Sequence, residues 1–423
     1  MIVRAQTSPW GRLVILLSCA GAQTARADAT NRNLLPIGEH ESLRANAGIA
    51  ASSPGSVFHN PAGLAALDHP QISVSGTTLM YFRSSTDRLL ELDEPIPYQA
   101  SGFAPIPASL VSTYKLGSFS AATAILVPDL LTLDNRIRQT TPMASLNLLQ
   151  SVRRQDLWLG GALARRLGDR VAVGLSVFGV RRSSISNTFF QVTVPAQPGT
   201  LSQVTASETV DVIGVQAILG VSIEVAPAVT VGVRVEPPFL QLTGGASVYR
   251  SQLASDGMMT TLTEIDQDDV DVHQPVPADF GLGVAIRATD ALTLYADVAL
   301  QLGSTYTTID DPDLGPPTVV ELDAAPRASV GFDLQLATKL TLHAGVLYNG
   351  SASGRLEEPG DAAEDYYGGA AGITWTSGRT RTGLGALVMR SQGKIVPLDA
   401  MPGDTETADT TVLGGLLTVG YLL

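Results

Sequence analysis

Five histidines, His40, His59, His69, His273 and His343, are the side chains best suited to move protons or bind a metal near neutral pH. None stands at metal-ligand spacing from another. The acidic stretch 264–273, EIDQDDVDVH, gathers carboxylates that suit a hard divalent cation, but it lacks the spacing and the glycine of an EF-hand loop. A solvated acidic loop is the plainer reading. No G-x-S-x-G, P-loop or paired-cysteine motif occurs. His59, beside Asn60, reads as a packed residue and not as a proton carrier. The expectation is therefore a protein without catalytic residues, metal or cofactor, whose chemistry is recognition.

Recognition of something apolar is the option the remaining residues offer. Charged residues are only 16% of the chain and the mean hydropathy is +0.18. The net charge of −13 disfavours nucleic acid, which attracts basic faces. After the N-terminus there is no run of eighteen apolar residues, so no helical membrane span is expected. A closed barrel is then the way such a chain crosses a bilayer, because each strand needs only a half-apolar pattern.

That pattern recurs. In 229–236, VTVGVRVE, every odd position is valine and every even one is small or polar. Leu292, Leu294, Ala296, Val298, Leu300 and Leu302 alternate with Thr293, Tyr295, Asp297 and Gln301, and Leu340, Leu342, Ala344, Val346 and Tyr348 with Thr341, His343, Gly345 and Asn349. Period two over this length marks strands with a different solvent on each face. Reading the whole chain this way gives about fourteen strands, near 71–82, 107–115, 118–127, 155–166, 170–183, 208–225, 228–236, 275–287, 291–304, 325–335, 339–349, 366–376, 380–390 and 411–423. Short turns alternate with long polar loops, at about 83–106, 128–154, 184–207, 237–274, 305–324 and 350–365. The fold class is all-β, an antiparallel transmembrane barrel.

Two segments precede the strands. Arg4 and Arg12, an apolar run over 13–20 and Ala25-Arg26-Ala27 read as a secretory signal covering 1–27. Cys19, the only cysteine, has a lipidation site as its rival reading. Residues 28–70 do not alternate. There Asn60-Pro61 fits an N-cap and first helical position, with Leu64 and Leu67 on one face. A barrel of about fourteen strands encloses a lumen too wide for its own side chains, so 28–70 is expected to form a helical hatch inside the barrel of 71–423.

The stretch 44–76, RANAGIAASSPGSVFHNPAGLAALDHPQISVSG, resembles the hatch segment of the FadL/TodX family of outer-membrane hydrophobic-compound transporters. The match is carried by Asn60, Pro61, Ala62 and Gly63, after Gly48 and Ala50, and it extends into 275–304, 327–351, 366–390 and 411–423. The resemblance implies a monomeric barrel in the outer membrane of a Gram-negative cell, in contact with outer-membrane lipid. It also implies passive uptake of a hydrophobic small-molecule ligand, such as a fatty acid or aromatic hydrocarbon, with sideways release through a kinked third strand. The candidate strand holds Ala121, Ala122, Ala124 and Pro128, where Pro128 either marks a disturbed ladder or simply starts a loop. The ligand-landing loops would be near 184–207 and 237–274, with Phe189, Phe190, Phe239, Met258 and Met259. The alternative is a non-transporting barrel that scaffolds a surface or secretion assembly. An apolar pocket running from loops to hatch would favour transport, and a lumen filled with salt bridges would favour the scaffold.

Overall fold

The computed structural model describes residues 31–423, apart from 34, 92–93, 143, 195–198, 310, 312–313, 315–317, 354–355, 357–360 and 400–403. The expected signal over 1–27 and the lipidation reading at Cys19 lie outside the described residues. The strands are β1 (Gln71–Glu91), β2 (Pro95–Leu116), β3 (Phe119–Thr140), β4 (Ser145–Leu167), β5 (Val171–Thr193), β6 (Thr200–Ala226), β7 (Val229–Glu236), β8 (Leu240–Asp256) and β9 (Thr260–Asp271). They continue as β10 (Asp279–Arg287), β11 (Leu292–Gln301), β12 (Ser304–Ile309), β13 (Thr318–Leu322), β14 (Ala325–Ala337), β15 (Leu340–Asn349), β16 (Ala362–Ser377), β17 (Thr380–Ile395) and β18 (Glu406–Leu422).

Fourteen of these strands close into an antiparallel barrel, with β1 paired to β18 and β5 to β6. The hairpin β8–β9 grows from the outer half of β6, and β12–β13 forms a separate hairpin. Successive barrel strands are neighbours in the wall, so each short turn is a hairpin and the sheet closes on itself.

The alternation read from sequence is the division between the two faces of the wall. Leu294, Val298, Val346, Leu384, Leu413 and Tyr421 point outward and are exposed, while Asp297, His343, Gly232 and Arg234 between them are buried. Exposed leucines and valines recur on most of the barrel strands, forming the apolar belt that a barrel turns toward lipid. Among the described residues no helix is long and apolar enough to cross a membrane.

The long loops expected at 83–106, 128–154 and 184–207 are instead mostly strand. Here β3 has 22 residues and β4 and β5 have 23 each, where about 9–11 suffice to cross a bilayer. The ladder runs on beyond the apolar belt, where the outer face meets water. There the two-solvent contrast disappears, and with it the period-two signal. The stretch expected as a loop at 237–274 likewise carries the β8–β9 hairpin.

Candidate functional site

Residues 31–70 lie against the inner wall, built from a 3-10 turn (Glu41–Arg44), one α-helical turn, α1 (Ser56–His59), and a second 3-10 turn (Pro61–Ala66). Asn60 caps the last of these. Its Oδ1 accepts from Ala62 N at 3.1 Å, and its Nδ2 donates to the carbonyls of Ile49 at 2.8 Å and Val221 at 3.0 Å. The cap therefore also fastens the segment to β6. Replacing Asn60 with Ala should cost about 1 kcal/mol for the cap and more for the lost anchor on β6. Hydrogen exchange should speed up over 49–66, while the heat-dependent gel shift typical of a closed barrel stays unchanged.

Glycines make room for this segment on the wall. A Cβ at Gly220 would fall 2.0 Å from Asn60 Oδ1, and one at Gly345 would fall 2.3 Å from the Arg44 carbonyl oxygen. No side chain fits such an approach.

The lumen has two unlike sides. Along β3–β6 the wall presents an apolar patch, where Ile37, Val57, Phe58 and Leu64 of the segment pack against Ala122, Trp158, Ala162 and Phe178, beside one buried ion pair, Arg182 to Asp156 at 3.1 Å. Across the lumen, from β7 round to β17, the wall is charged. Arg44 binds Glu41 at 3.0 Å and Asp333 at 2.7 Å and lies over the Tyr295 ring. His343 joins Asp333 at 2.6 Å and Thr374 at 2.9 Å. Asp297 Oδ2 accepts from the backbone N–H of Gly48 at 2.6 Å and of Ile49 at 2.9 Å. Arg32, Glu236, Arg234, Asp279 and Arg327 form a further chain of alternating charges. Each of these ions is partnered and all but Asp333 and Arg327, which are partly exposed, are buried, which is the condition under which buried charge is tolerated.

Glu39 belongs to the same side. Burial pushes its carboxyl up to about 7, against the opposing pull of Arg381 at 3.1 Å. A raised carboxyl pKa stabilises docking fully below the free value near 4.5, and that contribution is lost as pH rises to about 7. His40 and His59 are held below their usual range by burial, so their charging on release opposes docking as pH falls. Glu39→Gln isolates the first effect. The variant should match the wild type near pH 4.5 and hold the segment more tightly above pH 7, by on the order of 3 kcal/mol. Hydrogen exchange of residues 37–45 against pH measures it, and parallel curves would contradict the assignment.

Above the segment, toward the loop ends, lies a cavity of about 220 Å³. Leu35 of the segment borders it, with Leu130, Leu131 and Leu133 of β3, Leu148, Phe190 and Val204 of β4–β6, and Phe82, Met389 and Val412 of β1, β17 and β18. At the outer end Leu398 closes over it, held by Leu398 N donating to Leu89 O at 2.7 Å. Polar groups interrupt the apolar lining, among them Thr86, Gln150, Thr188, Glu364 and the Asp129–Arg154 corner. This is the make-up of a site for an apolar ligand.

The cavity adjoins a fault in the wall. The β3–β4 register shifts between Leu126 and Asp129, and Pro128, which has no N–H to give, sits in the shift. Among the described residues β2 and β3 share no paired positions between Ser109–Leu126 and Ser101–Asp134. The strands meet again at a crossing so close that a Cβ on Gly102 would fall 1.7 Å from Thr132 O. Inside, the Pro128 carbonyl accepts from Leu35 N at 3.3 Å, so the segment is tied to the fault.

The residues singled out from sequence are placed as follows. Asn60, Pro61, Ala62 and Gly63 are buried at the wall of β5 and β6. Ala121, Ala122 and Ala124 lie below the fault in unbroken ladder with β2 and β4, whereas Pro128 lies in it. Phe189 and Phe190 stand on β5 and not in a loop, and only Phe190 faces the cavity. Phe239 is buried in the apolar cluster with Val212 and Val272, away from the cavity. Met258 and Met259 are 92% and 72% exposed at the tip of β8–β9. The acidic run falls on β9, at the end of the sheet order, where charge guards an exposed strand edge. The cavity leucines of β3 and the Arg44–Asp333 anchor were not singled out from sequence.

Among solved structures this arrangement has counterparts. The chain is similar to the toluene transporter TbuX of Ralstonia pickettii, with TM-score 0.62 and 14% identity over 92% of this chain and 99% of that one. It is similar to a FadL homologue of Pseudomonas aeruginosa, with TM-score 0.62 and 14% identity over 91% and 98%. The monoaromatic hydrocarbon channel CymD is a third, with TM-score 0.59 and 12% identity over 92% and 98%. No family model and no curated protein matches the chain. The likeness establishes the fold, which is the one expected from the Asn60-Pro61-Ala62 motif and the strand pattern.

Proposed function

We propose that the protein is a monomeric outer-membrane channel through which small hydrophobic molecules diffuse inward, with residues 31–70 as its plug. The observation that carries this reading is the apolar cavity lying directly beside the fault between β2 and β3. A ligand held there is shielded from water and adjoins a stretch where the described wall is unpaired, so it can leave sideways into the bilayer. The sequence carries no nucleotide-binding motif to power movement, and a gradient suffices. The solved hydrocarbon channels of the same fold support the reading, as does the apolar belt that suits outer-membrane lipid. The volume favours cargo of one aromatic ring or a short alkyl chain, since an apolar cavity of about 150 Å³ already accepts benzene. The charged half of the lumen gives no comparable support to the scaffold alternative, because three of its ion pairs, Arg32–Glu236, Arg44–Asp333 and Arg381–Glu39, fasten the plug to the wall.

The test is Leu133→Trp, with Leu148→Trp as a second variant. Overfilling a packed site costs about 1–3 kcal/mol, roughly 5- to 140-fold in affinity. Binding of radiolabelled toluene to purified protein and its uptake by cells should fall together in both variants. Unchanged uptake in both, with the barrel folded, would remove the cavity from the route.

A further inference from the structure

Exposed charge is divided unevenly between the two ends of the barrel. At the short-turn end Lys115, Arg165, Arg166 and Arg170 flank the turns of β2–β5, and Arg287 precedes the β10–β11 turn. Lys339 and Arg379 lie in the β14–β15 and β16–β17 turns, and all of these cations are exposed. The acidic side chains at the same rim are Asp68, Asp169 and Asp290, which are exposed, and Glu224, which is half-exposed and held by Arg166 at 3.1 Å. Seven cations against four anions leave this rim positive in a chain whose formal charge is −13. The β14–β15 and β16–β17 turns carry no acidic residue, and Lys339 and Arg379 make no ion pair with a described residue. At the opposite end β9 carries Glu264, Asp266, Asp268, Asp269 and Asp271.

Lys339 and Arg379 belong to one arc of the rim. The Lys339 carbonyl accepts from Thr376 N at 2.9 Å, and the Arg379 carbonyl accepts from Leu422 N at 2.8 Å. Trp375 and Tyr421 stand on the outer face of the same arc, 39% and 44% exposed, with Trp375 opposite Leu340 and Tyr421 opposite Thr380. Leu336, just before the β14–β15 turn, is exposed on that face as well. The apolar belt therefore reaches almost to the turns, which places the two cations at the depth of the lipid headgroups, with amphipathic rings beside them. Short turns of such a barrel face the periplasm, so the headgroups there belong to phospholipid. We propose that Lys339 and Arg379, framed by Trp375 and Tyr421, hold the phosphate of an anionic phospholipid of the periplasmic leaflet. A basic side chain at this depth favours anionic over zwitterionic lipid. The site is continuous with the lipid-facing belt and does not depend on which cargo the barrel carries.

Tryptophan fluorescence reads the site directly, because Trp375 faces lipid whereas Trp158 is buried in the lumen. A Trp375→Phe variant supplies the background from the other tryptophans. In phosphatidylcholine vesicles, brominated phosphatidylglycerol should quench Trp375 more strongly than the same fraction of brominated phosphatidylcholine. The expected relative affinity is about fivefold or more, and it should shrink as salt is added. Each of Lys339→Gln and Arg379→Gln should lose part of the preference, and the two together should abolish it while the gel shift on heating is kept. Arg138→Gln, at the loop end of β3, should leave it unchanged. Equal quenching by the two lipids in the wild type would overturn the proposal. So would a preference that both single substitutions leave intact, or one that Arg138→Gln removes.

Discussion

A chain lacking residues 31–67 should still insert as a closed barrel and should conduct ions in planar bilayers at least an order of magnitude better than the intact protein. The segment contributes burial of Ile37, Leu43, Val57, Phe58 and Leu64, each worth about 1.5–3 kcal/mol at most. None of it is needed for ladder pairing, which closes from β1 to β18 without the segment. Removing Arg44 and the Gly48 and Ile49 amides strips partners from Asp333 and Asp297. That would be severe in a dry interior, yet here the emptied lumen floods and water solvates both carboxylates. A barrel of this width without a plug holds a water-filled pore. Equal conductance with and without the segment would show that it does not obstruct the lumen.

What the sequence disclosed and what it hid follow one physical rule. Where a strand separates lipid from lumen, its residues alternate, and β7, β11, β15 and β18 were legible from Val229, Leu294, Val346 and Leu413 outward. Where a strand leaves the membrane the contrast ends, so the outer halves of β3, β4 and β5 read as loops although the ladder continues. Asn60-Pro61 was legible because a cap is local. The anchor from Arg44 to Asp333 spans 289 residues of sequence and carries no local mark. The glycine floor did leave a signal. Gly220, Gly232 and Gly345 occupy inward positions of their strands, where small residues at matched depth announce that something presses on the wall. Pro128 was visible, but the unpaired stretch beside it belongs to two strands at once and emerges only from their register.

Sideways exit through that stretch is the central claim, and closing it should have the largest effect on transport. Ala108 and Val127 flank the fault just above the last regular pair, Ser109–Leu126, and both are buried. Cysteines placed at both positions would be the only thiols in a chain freed of Cys19. Joining them, by oxidation or with a short dithiol-reactive linker, should abolish uptake of labelled toluene by cells. Binding to purified protein should persist, because the cavity itself is untouched, and a reductant should restore uptake to the oxidised pair. The decisive measurement is uptake by the joined form against its reduced self. Near-complete, reversible loss is the expected result, and uptake at the same rate in both forms would contradict release between β2 and β3.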